Sequence, residues 1–190
     1  WTLNPFTSYA DPFNLRRGNP NLKPEYINSF DLGYGFNKKN FNLTANVYFR
    51  QTTDVIQRVK EFYNDGSTAA TYANINESRS LGAELILVYK PLTWFRNVIS
   101  LNGNRIQYMD DSQTTDFNNT GFNWGAKYTG SFEFWKRTAN VQVNARYNAP
   151  IVTAQGTVLP RASVDLSGNK SFKNGKWTVG FRFSDIFNTR

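Results

Sequence analysis

The sequence predicts an all-β fold: an antiparallel up-and-down transmembrane β-barrel with about eight strands. Three observations predict it. First, apolar and polar side chains alternate in long runs such as residues 121–149, with Phe, Trp and Tyr on one side and Asn, Gln, Thr and Ser on the other. Second, each run has roughly a dozen residues, close to the roughly 9–11 that cross a bilayer at a tilt. Third, the connections between runs are alternately short and long.

The amino-acid composition excludes several classes of functional site. The chain has 190 residues with neither Cys nor His, which excludes disulfides, thiolate nucleophiles and histidine-based catalysis or zinc binding. We therefore expect no enzyme, no cofactor and no metal site. The mean hydropathy is −0.56 and no run of about 18 apolar residues occurs, which excludes transmembrane helices.

The net charge of +8 does not predict nucleic-acid binding. Such binding needs basic side chains on one contiguous surface, whereas many Lys and Arg residues of this chain fall in short turns, for example Lys38-Lys39 and Lys173. We expect no nucleic-acid partner.

The elements follow in order. Residues 1–25 contain four prolines and predict a loop. Alternation predicts strands over 26–36 and 41–50, a polar loop over 52–71, and strands from 72 to 89 and from 95 to 109. A bulge is expected near Gly103, because the apolar parity changes after it. Residues 110–120 and 150–160 are predicted loops around the hairpin at 121–149.

The last predicted hairpin, residues 161–187, turns at Asn174-Gly175, a pair that favours a type I′ turn. This turn predicts the pairs Phe172 with Trp177, Ser167 with Arg182, and Asp165 with Ser184. By the same logic Phe36 is predicted to lie opposite Phe41. Each short turn is flanked by rings, which predicts an interfacial girdle; the rings are Phe36, Phe41, Trp94, Phe95, Phe134, Trp135, Phe172 and Trp177.

The alternation also sorts the charges within strands. Eight of them have the parity opposite to the aromatic side chains, and a charge facing lipid at mid-bilayer is costly. We therefore predict that they face the barrel lumen: Asp31, Arg50, Glu84, Lys127, Glu133, Arg146, Asp165 and Arg182.

A substrate would meet the long loops first. Their aromatic and polar residues can stack on and hydrogen-bond a sugar, peptide or chelate, or form solvated loop alone. The candidate substrate-facing residues are Phe62, Tyr63, Asn64, Asp65, Tyr72, Asp110, Asp111 and Asp116. The three last acidic residues do not match the spacing of an EF-hand calcium loop.

Three segments resemble the TonB-dependent outer-membrane receptors, in particular their Bacteroidetes-type members. They are LRRGNPNLKPE at 15–25, YANINESRSLGAE at 72–84 and FSDIFNTR at 183–190. Their order and spacing fit the family along essentially the whole chain. The resemblance implies a Gram-negative outer-membrane protein of the 22-stranded, plugged-lumen kind, of which this chain supplies a contiguous arc.

Further expectations follow from the resemblance. Residues 1–190 are expected to form one partial barrel domain, with 1–25 as an extracellular loop, 26–187 as strands and turns, and the plug domain and last strand absent. Implied partners are outer-membrane lipid, the TonB energy-coupling protein acting through the plug, a surface lipoprotein, and a small-molecule, glycan or peptide substrate.

Two alternatives remain open from the residues. One is a self-contained small outer-membrane barrel with a structural or adhesive role, which requires pairing between the first and last strands. The other is a soluble β-sandwich that binds carbohydrate.

Overall fold

The computed structural model describes residues 2–64, 66–110, 118–136, 138–173 and 175–189, and these residues contain eleven β-strands. The bounds are β1 Asn14–Arg16, β2 Tyr26–Lys38, β3 Phe41–Phe62, β4 Thr68–Leu92, β5 Phe95–Met109, β6 Asn119–Phe134, β7 Ala139–Asn148, β8 Ile151–Thr153, β9 Gly156–Val158, β10 Arg161–Phe172 and β11 Trp177–Phe183. No described segment forms a helix able to cross a membrane.

One antiparallel sheet organises the chain. Its strand order is β11-β10-β7-β6-β5-β4-β3-β2, with β1 added in parallel beside β4, while β8 and β9 form a separate hairpin. The terminal strands β2 and β11 stand at opposite ends of the order and do not pair with each other in the described residues. The prediction of an all-β antiparallel arc that does not close on itself is therefore confirmed.

The register gives the sheet two unlike faces. Residues paired across strands project to the same face: Lys127, for example, pairs with Ser100 on one side and with Arg146 on the other. Such pairs run without a parity change from β2 to β11. They place eight charged residues on one face, here named the charged face: Asp31, Arg50, Glu84, Lys127, Glu133, Arg146, Asp165 and Arg182.

The opposite face, here named the aromatic face, carries the ring side chains. Rings contact each other at the short-turn end: Phe95 stacks on Phe132 with centroids 4.5 Å apart, and Trp94 lies 6.5 Å from Phe134. Lys170 shares this face, and its Nζ lies 4.0 Å from the centroid of the Trp135 ring. A lysine at the edge of an apolar band keeps its charge near water in this way while its stem covers apolar surface.

Strands β3 and β4 are much longer than predicted. They have 22 and 25 residues, so the polar loop predicted over 52–71 is wrong; only residues 63–67 separate the two strands. The error arises from Asp54, which interrupts the alternation. Asp54 has φ of 53° in mid-strand, a left-handed backbone conformation that is uncommon for non-glycine residues.

Beyond Asp54 several odd-numbered side chains of β3 and β4 are buried. Val55, Val59 and Ile75 form one cluster with Tyr108 and Ala154. Tyr108 pairs with Ser78, on the charged-face parity of β4, so Val55 and Ile75 have turned to that side. The charged face thus gains a small apolar core at the long-loop end, in which Ile75 is completely buried.

Other details of the prediction need correction. The bulge expected near Gly103 is absent from the β4–β5 ladder, which keeps one register from Glu77–Met109 to Tyr89–Asn97 and shifts only beyond Tyr89. The apolar parity changes in β5 because Ile106 and Tyr108 pack in the cluster described above.

The hairpin predictions are partly right. Phe172 pairs with Trp177 and Ser167 with Arg182, as predicted. However, β11 ends at Phe183, so Ser184 does not pair with Asp165. Instead the backbone N–H of Asp185 donates to Asp165 Oδ1 at 2.8 Å.

The turn at the β2–β3 hairpin is tighter than predicted. Phe36 pairs with Leu43, since the ladder continues to Lys38–Phe41 and leaves a two-residue turn; the rings of Phe36 and Phe41 meet diagonally, with centroids 6.2 Å apart. In the last hairpin, Asn174 lies outside the described residues, and Lys173 and Gly175 both have positive φ.

The two faces predict opposite responses at neighbouring positions in the middle of β4. Leu85 lies on the aromatic face and Ile86 on the charged face. Leu85→Arg is expected to destabilise the intact protein in lipid by roughly 2–4 kcal/mol, because an arginine facing hydrocarbon loses hydration. Ile86→Arg is the matched control and should cost about 1 kcal/mol or less. Denaturant unfolding in vesicles measures both; equal losses would contradict the assignment of faces.

Candidate functional site

The long-loop end of the charged face is covered by the β8–β9 hairpin, in the segment predicted as a loop over 150–160. Val152 lies directly on Gly121 of β6, where an added Cβ would come within 2.1 Å of Val152 Cγ2. The backbone N–H of Val152 donates to Asn123 Oδ1 at 2.7 Å, and Asn119 Nδ2 donates to the Thr153 carbonyl at 2.7 Å. Three polar or small positions of β6 therefore hold the hairpin on this face.

The same hairpin reaches across the sheet as far as β3. Ala154 lies in the buried cluster, and Gln155 Oε1 accepts a hydrogen bond from the Lys60 backbone N–H at 3.0 Å. Strand β3 has lost its β2 neighbour at this height, since the β2–β3 ladder stops at Tyr26–Thr53. Gln155 thus satisfies a backbone donor of an open strand edge.

Strands β3 and β4 continue beyond the end of β2, and the segment before β2 lies along this β3–β4 extension. The Asn19 side chain donates to the Tyr72 carbonyl at 2.9 Å, and Asn74 both accepts from the Lys23 backbone N–H and donates to its carbonyl. The Glu25 carboxylate accepts from the Ile56 backbone N–H. The LRRGNPNLKPE motif, whose first two residues belong to β1, is therefore a clamp that fixes the chain against β3 and β4.

An ion pair closes this clamp. Arg17 Nη2 lies 2.7 Å from Glu61 Oε2, which also accepts from the Tyr63 hydroxyl at 3.0 Å. This hydrogen bond to Glu61 raises the pKa of Arg17 above its ordinary value. Both side chains are partly exposed, so the pair orients the clamp more than it stabilises the fold.

The predicted substrate-facing residues that the structure describes lie at three separate places in the chain. Phe62 ends β3 with 79% of its surface exposed, and Tyr63 and Asn64 follow it in the turn. Tyr72 lies ten residues after Phe62, inside β4, where it lines a cleft between β1 and β3. Asp65, Asp111 and Asp116 lie outside the described residues.

Asp110 is a buried residue whose backbone is held by the Asn118 side chain. It is only 7% exposed, and its backbone is clamped to Asn118: the Asp110 N–H donates to Asn118 Oδ1 at 3.0 Å, and Asn118 Nδ2 donates to the Asp110 carbonyl at 3.2 Å. These bonds join the two ends of the segment between β5 and β6.

Further from the long-loop end, acidic and basic side chains are interleaved on the charged face. Arg182 Nη2 lies 3.9 Å from Asp165 Oδ2, and Lys127, Arg146 and Asp165 border one shallow depression of about 200 Å³. Thr129, Gln142 and Asn144 are linked by hydrogen bonds of 2.9 Å. This mixed surface can be wetted or can pack against another polar surface.

Sequence reasoning missed the main contacts of this region. Val55, Val59 and Gln155 were assigned to loops, although Thr52 to Val59 is rich in β-branched residues, which favour strands. That composition was the available signal. Nothing local in the sequence indicates that Gly121 receives Val152, because the contact joins positions 31 residues apart.

Comparison with known proteins supports the barrel interpretation. A family model described as "Outer membrane protein beta-barrel family" matches residues 1–190. No curated protein matches the sequence. Three solved structures resemble the fold, each with 15% sequence identity.

These three structures are a copper transporter and two siderophore or chelate receptors by their titles. The copper transporter OprC has a TM-score of 0.67 over 90% of this chain and 26% of its own; the ferric yersiniabactin uptake receptor FyuA from Yersinia pestis has 0.63 over 86% and 25%. The siderophore receptor PirA from Acinetobacter baumannii has 0.57 over 92% and 29%. The chain thus spans about a quarter of the length of these structures, and at this identity they establish the fold alone.

The contact between Gly121 and Val152 predicts how the hairpin is released. Gly121→Val is expected to lift β8–β9, since the new side chain would occupy the space of Val152. Hydrogen exchange of the Val152 and Lys60 amides in the intact protein should then accelerate. Gly35→Val is the matched control: it lies on the charged-face parity of β2, and an added Cβ meets nothing within 4 Å. Unchanged exchange in Gly121→Val would contradict this packing.

Proposed function

Because the chain belongs to the outer membrane protein β-barrel family, we propose that it forms part of the barrel wall of a TonB-dependent receptor that imports a nutrient or chelate across the bacterial outer membrane. The observation that carries the proposal is the eight-stranded path whose two edge strands, β2 and β11, do not pair with each other among the described residues. An open edge is not tolerated in lipid and requires further strands. The similarity to about a quarter of three larger uptake proteins supports it.

In this proposal each face has one role. The aromatic face contacts lipid, with its rings at the short-turn end in the membrane interface. The charged face lines a wide lumen, where interleaved charges such as Arg182 and Asp165 stay hydrated or contact a plug domain. The exposed residues Phe62, Tyr63 and Asn64 present groups to an arriving substrate.

Partners belong to the same proposal. Import against a gradient requires energy, which the TonB protein would deliver through a plug domain. The substrate is a small molecule, glycan or peptide, and a surface lipoprotein is a candidate for its capture. The chain itself supplies scaffold, lumen wall and loop presentation, and no reaction chemistry is assigned to it.

The two alternatives, a small closed barrel and a soluble β-sandwich, explain fewer features of the sheet. A self-contained small barrel needs a ladder between β2 and β11, and the described residues have none. A β-sandwich needs a second sheet against the aromatic face, yet Phe30, Leu32 and Tyr34 on β2 are 62–77% exposed. A surface of this kind suits lipid contact better than solvent.

Uptake by cells tests the proposal. Culture media from three strains would be compared by mass spectrometry: the wild type, a deletion of the gene that encodes this chain, and a wild-type gene in a strain lacking TonB function. We expect at least one metal chelate, glycan or peptide to be depleted by the wild type alone. Equal depletion by all three strains would contradict energised import through this protein.

A further inference from the structure

The face of the β3–β4 extension opposite the β8–β9 hairpin carries a basic cleft. Arg16 of β1 pairs with Ala70 of β4, and Arg58 of β3 pairs with Tyr72 of β4. Paired residues share a face, as do residues two apart on one strand. These four side chains therefore lie together, while Val59 lies on the other face in the cluster with Ala154. Arg58 stands at the edge of β3 and also borders the depression between β3 and the hairpin.

The cleft is small and its walls are fixed by backbone bonds. It has a volume of about 370 Å³ and is lined by Ser8, Arg16, Arg17, Arg58, Ala70 and Tyr72. The Ser8 N–H donates to the Arg16 carbonyl at 2.7 Å, and the Arg17 N–H donates to the Ala70 carbonyl at 3.0 Å. Arg16 and Arg58 are separated by two strand spacings and by two residues along the strand direction, which places their Cα atoms roughly 12 Å apart. The small side chain of Ala70 leaves the space between them open.

The three arginines that line the cleft differ in their acidic partners. Arg17 is neutralised by Glu61 at 2.7 Å. No described carboxylate lies within ion-pair distance of Arg16 or Arg58. The Asp11 carboxylate is engaged elsewhere: its oxygens accept hydrogen bonds from the Asn14 side chain and the Phe13 N–H, which lower the pKa of Asp11, and Arg16 is the last of the contributing causes.

We propose that this cleft binds a phosphate-bearing anion. Arginine presents a planar fork of donors that matches the oxygens of phosphate. Two such forks across a space of this size suit a group with at least two phosphate charges. Ser8 and Tyr72 add hydroxyl groups to the lining.

The ligand has two sources with the same chemistry: a free oligophosphate, or the phosphates of a lipid headgroup in the outer leaflet. In the barrel orientation proposed above, the hairpin lies on the lumen side of the sheet, and no hairpin residue is among those that line the cleft. The cleft is therefore distinct from the import path, and uptake and phosphate binding can fail independently.

Binding measurements on the intact protein test the inference. Inorganic tripolyphosphate would be titrated onto the protein in lipid nanodiscs free of lipid A, and nanodiscs with and without lipid A would be compared for capture of the detergent-purified protein. Arg16→Gln/Arg58→Gln is expected to weaken binding by about tenfold or more, because it removes the charge-assisted hydrogen bonds of both guanidinium groups. Ala70→Leu should weaken it similarly by filling the cleft, with no change of charge.

The matched control is Arg105→Gln/Arg161→Gln, which removes two positive charges from β5 and β10 without touching the cleft lining. Tripolyphosphate binding that is lost in the cleft variants but kept in the control supports a soluble ligand. Capture that depends on lipid A and is lost in the same variants supports a lipid headgroup. Absence of binding to both probes, or equal losses in cleft variants and control, would overturn the proposal.

Discussion

A bilayer offers no water to a backbone N–H or C=O, so every such group inside it must bond within the protein. A β-sheet meets this requirement only through uninterrupted ladders, and side chains along a ladder then fall on two faces with a strict period of two. The register from β2 to β11 obeys both conditions. The sorting of eight charges onto one face and most rings onto the other depends on this constraint, because a one-residue slip in any ladder would exchange the faces.

At the long-loop end, outside the apolar band, backbone groups need not all bond within the ladder. Water and side chains can satisfy backbone groups there, so β3 can continue without β2 as a neighbour. Glu25 and Gln155 accept from the Ile56 and Lys60 amides that β2 no longer pairs. Asp54 can adopt a left-handed conformation and turn the apolar side chains of β3 toward the hairpin. The long-loop end is consequently a small packed domain with its own buried cluster, whereas the membrane-facing part has almost no buried core among the described residues.

The sequence predicts well where local pattern decides structure. The parity of Asp31 or Glu84, the girdle rings and the pairing of Phe172 with Trp177 follow from alternation and turn chemistry. It fails where a contact joins distant positions. The burial of Val55 and Val59 depends on Ala154, about a hundred residues away, and the absence of a side chain at Gly121 acquires its meaning only from Val152. Local pattern therefore misread strand residues 52–62 as loop, and Asp54 concealed the continuation.

The central claim is that the two faces of the sheet meet different media, lipid on the aromatic face and an aqueous lumen on the charged face. The most direct measurement is the collision rate of spin labels with dissolved oxygen and with a water-soluble nickel complex, for labels placed singly at residues 42–48 of β3 in the intact protein in bilayers. The account predicts oxygen accessibility at Leu43, Ala45 and Val47, and nickel accessibility at Asn42, Thr44 and Asn46. Accessibility without this alternation, or with the opposite phase, would contradict it.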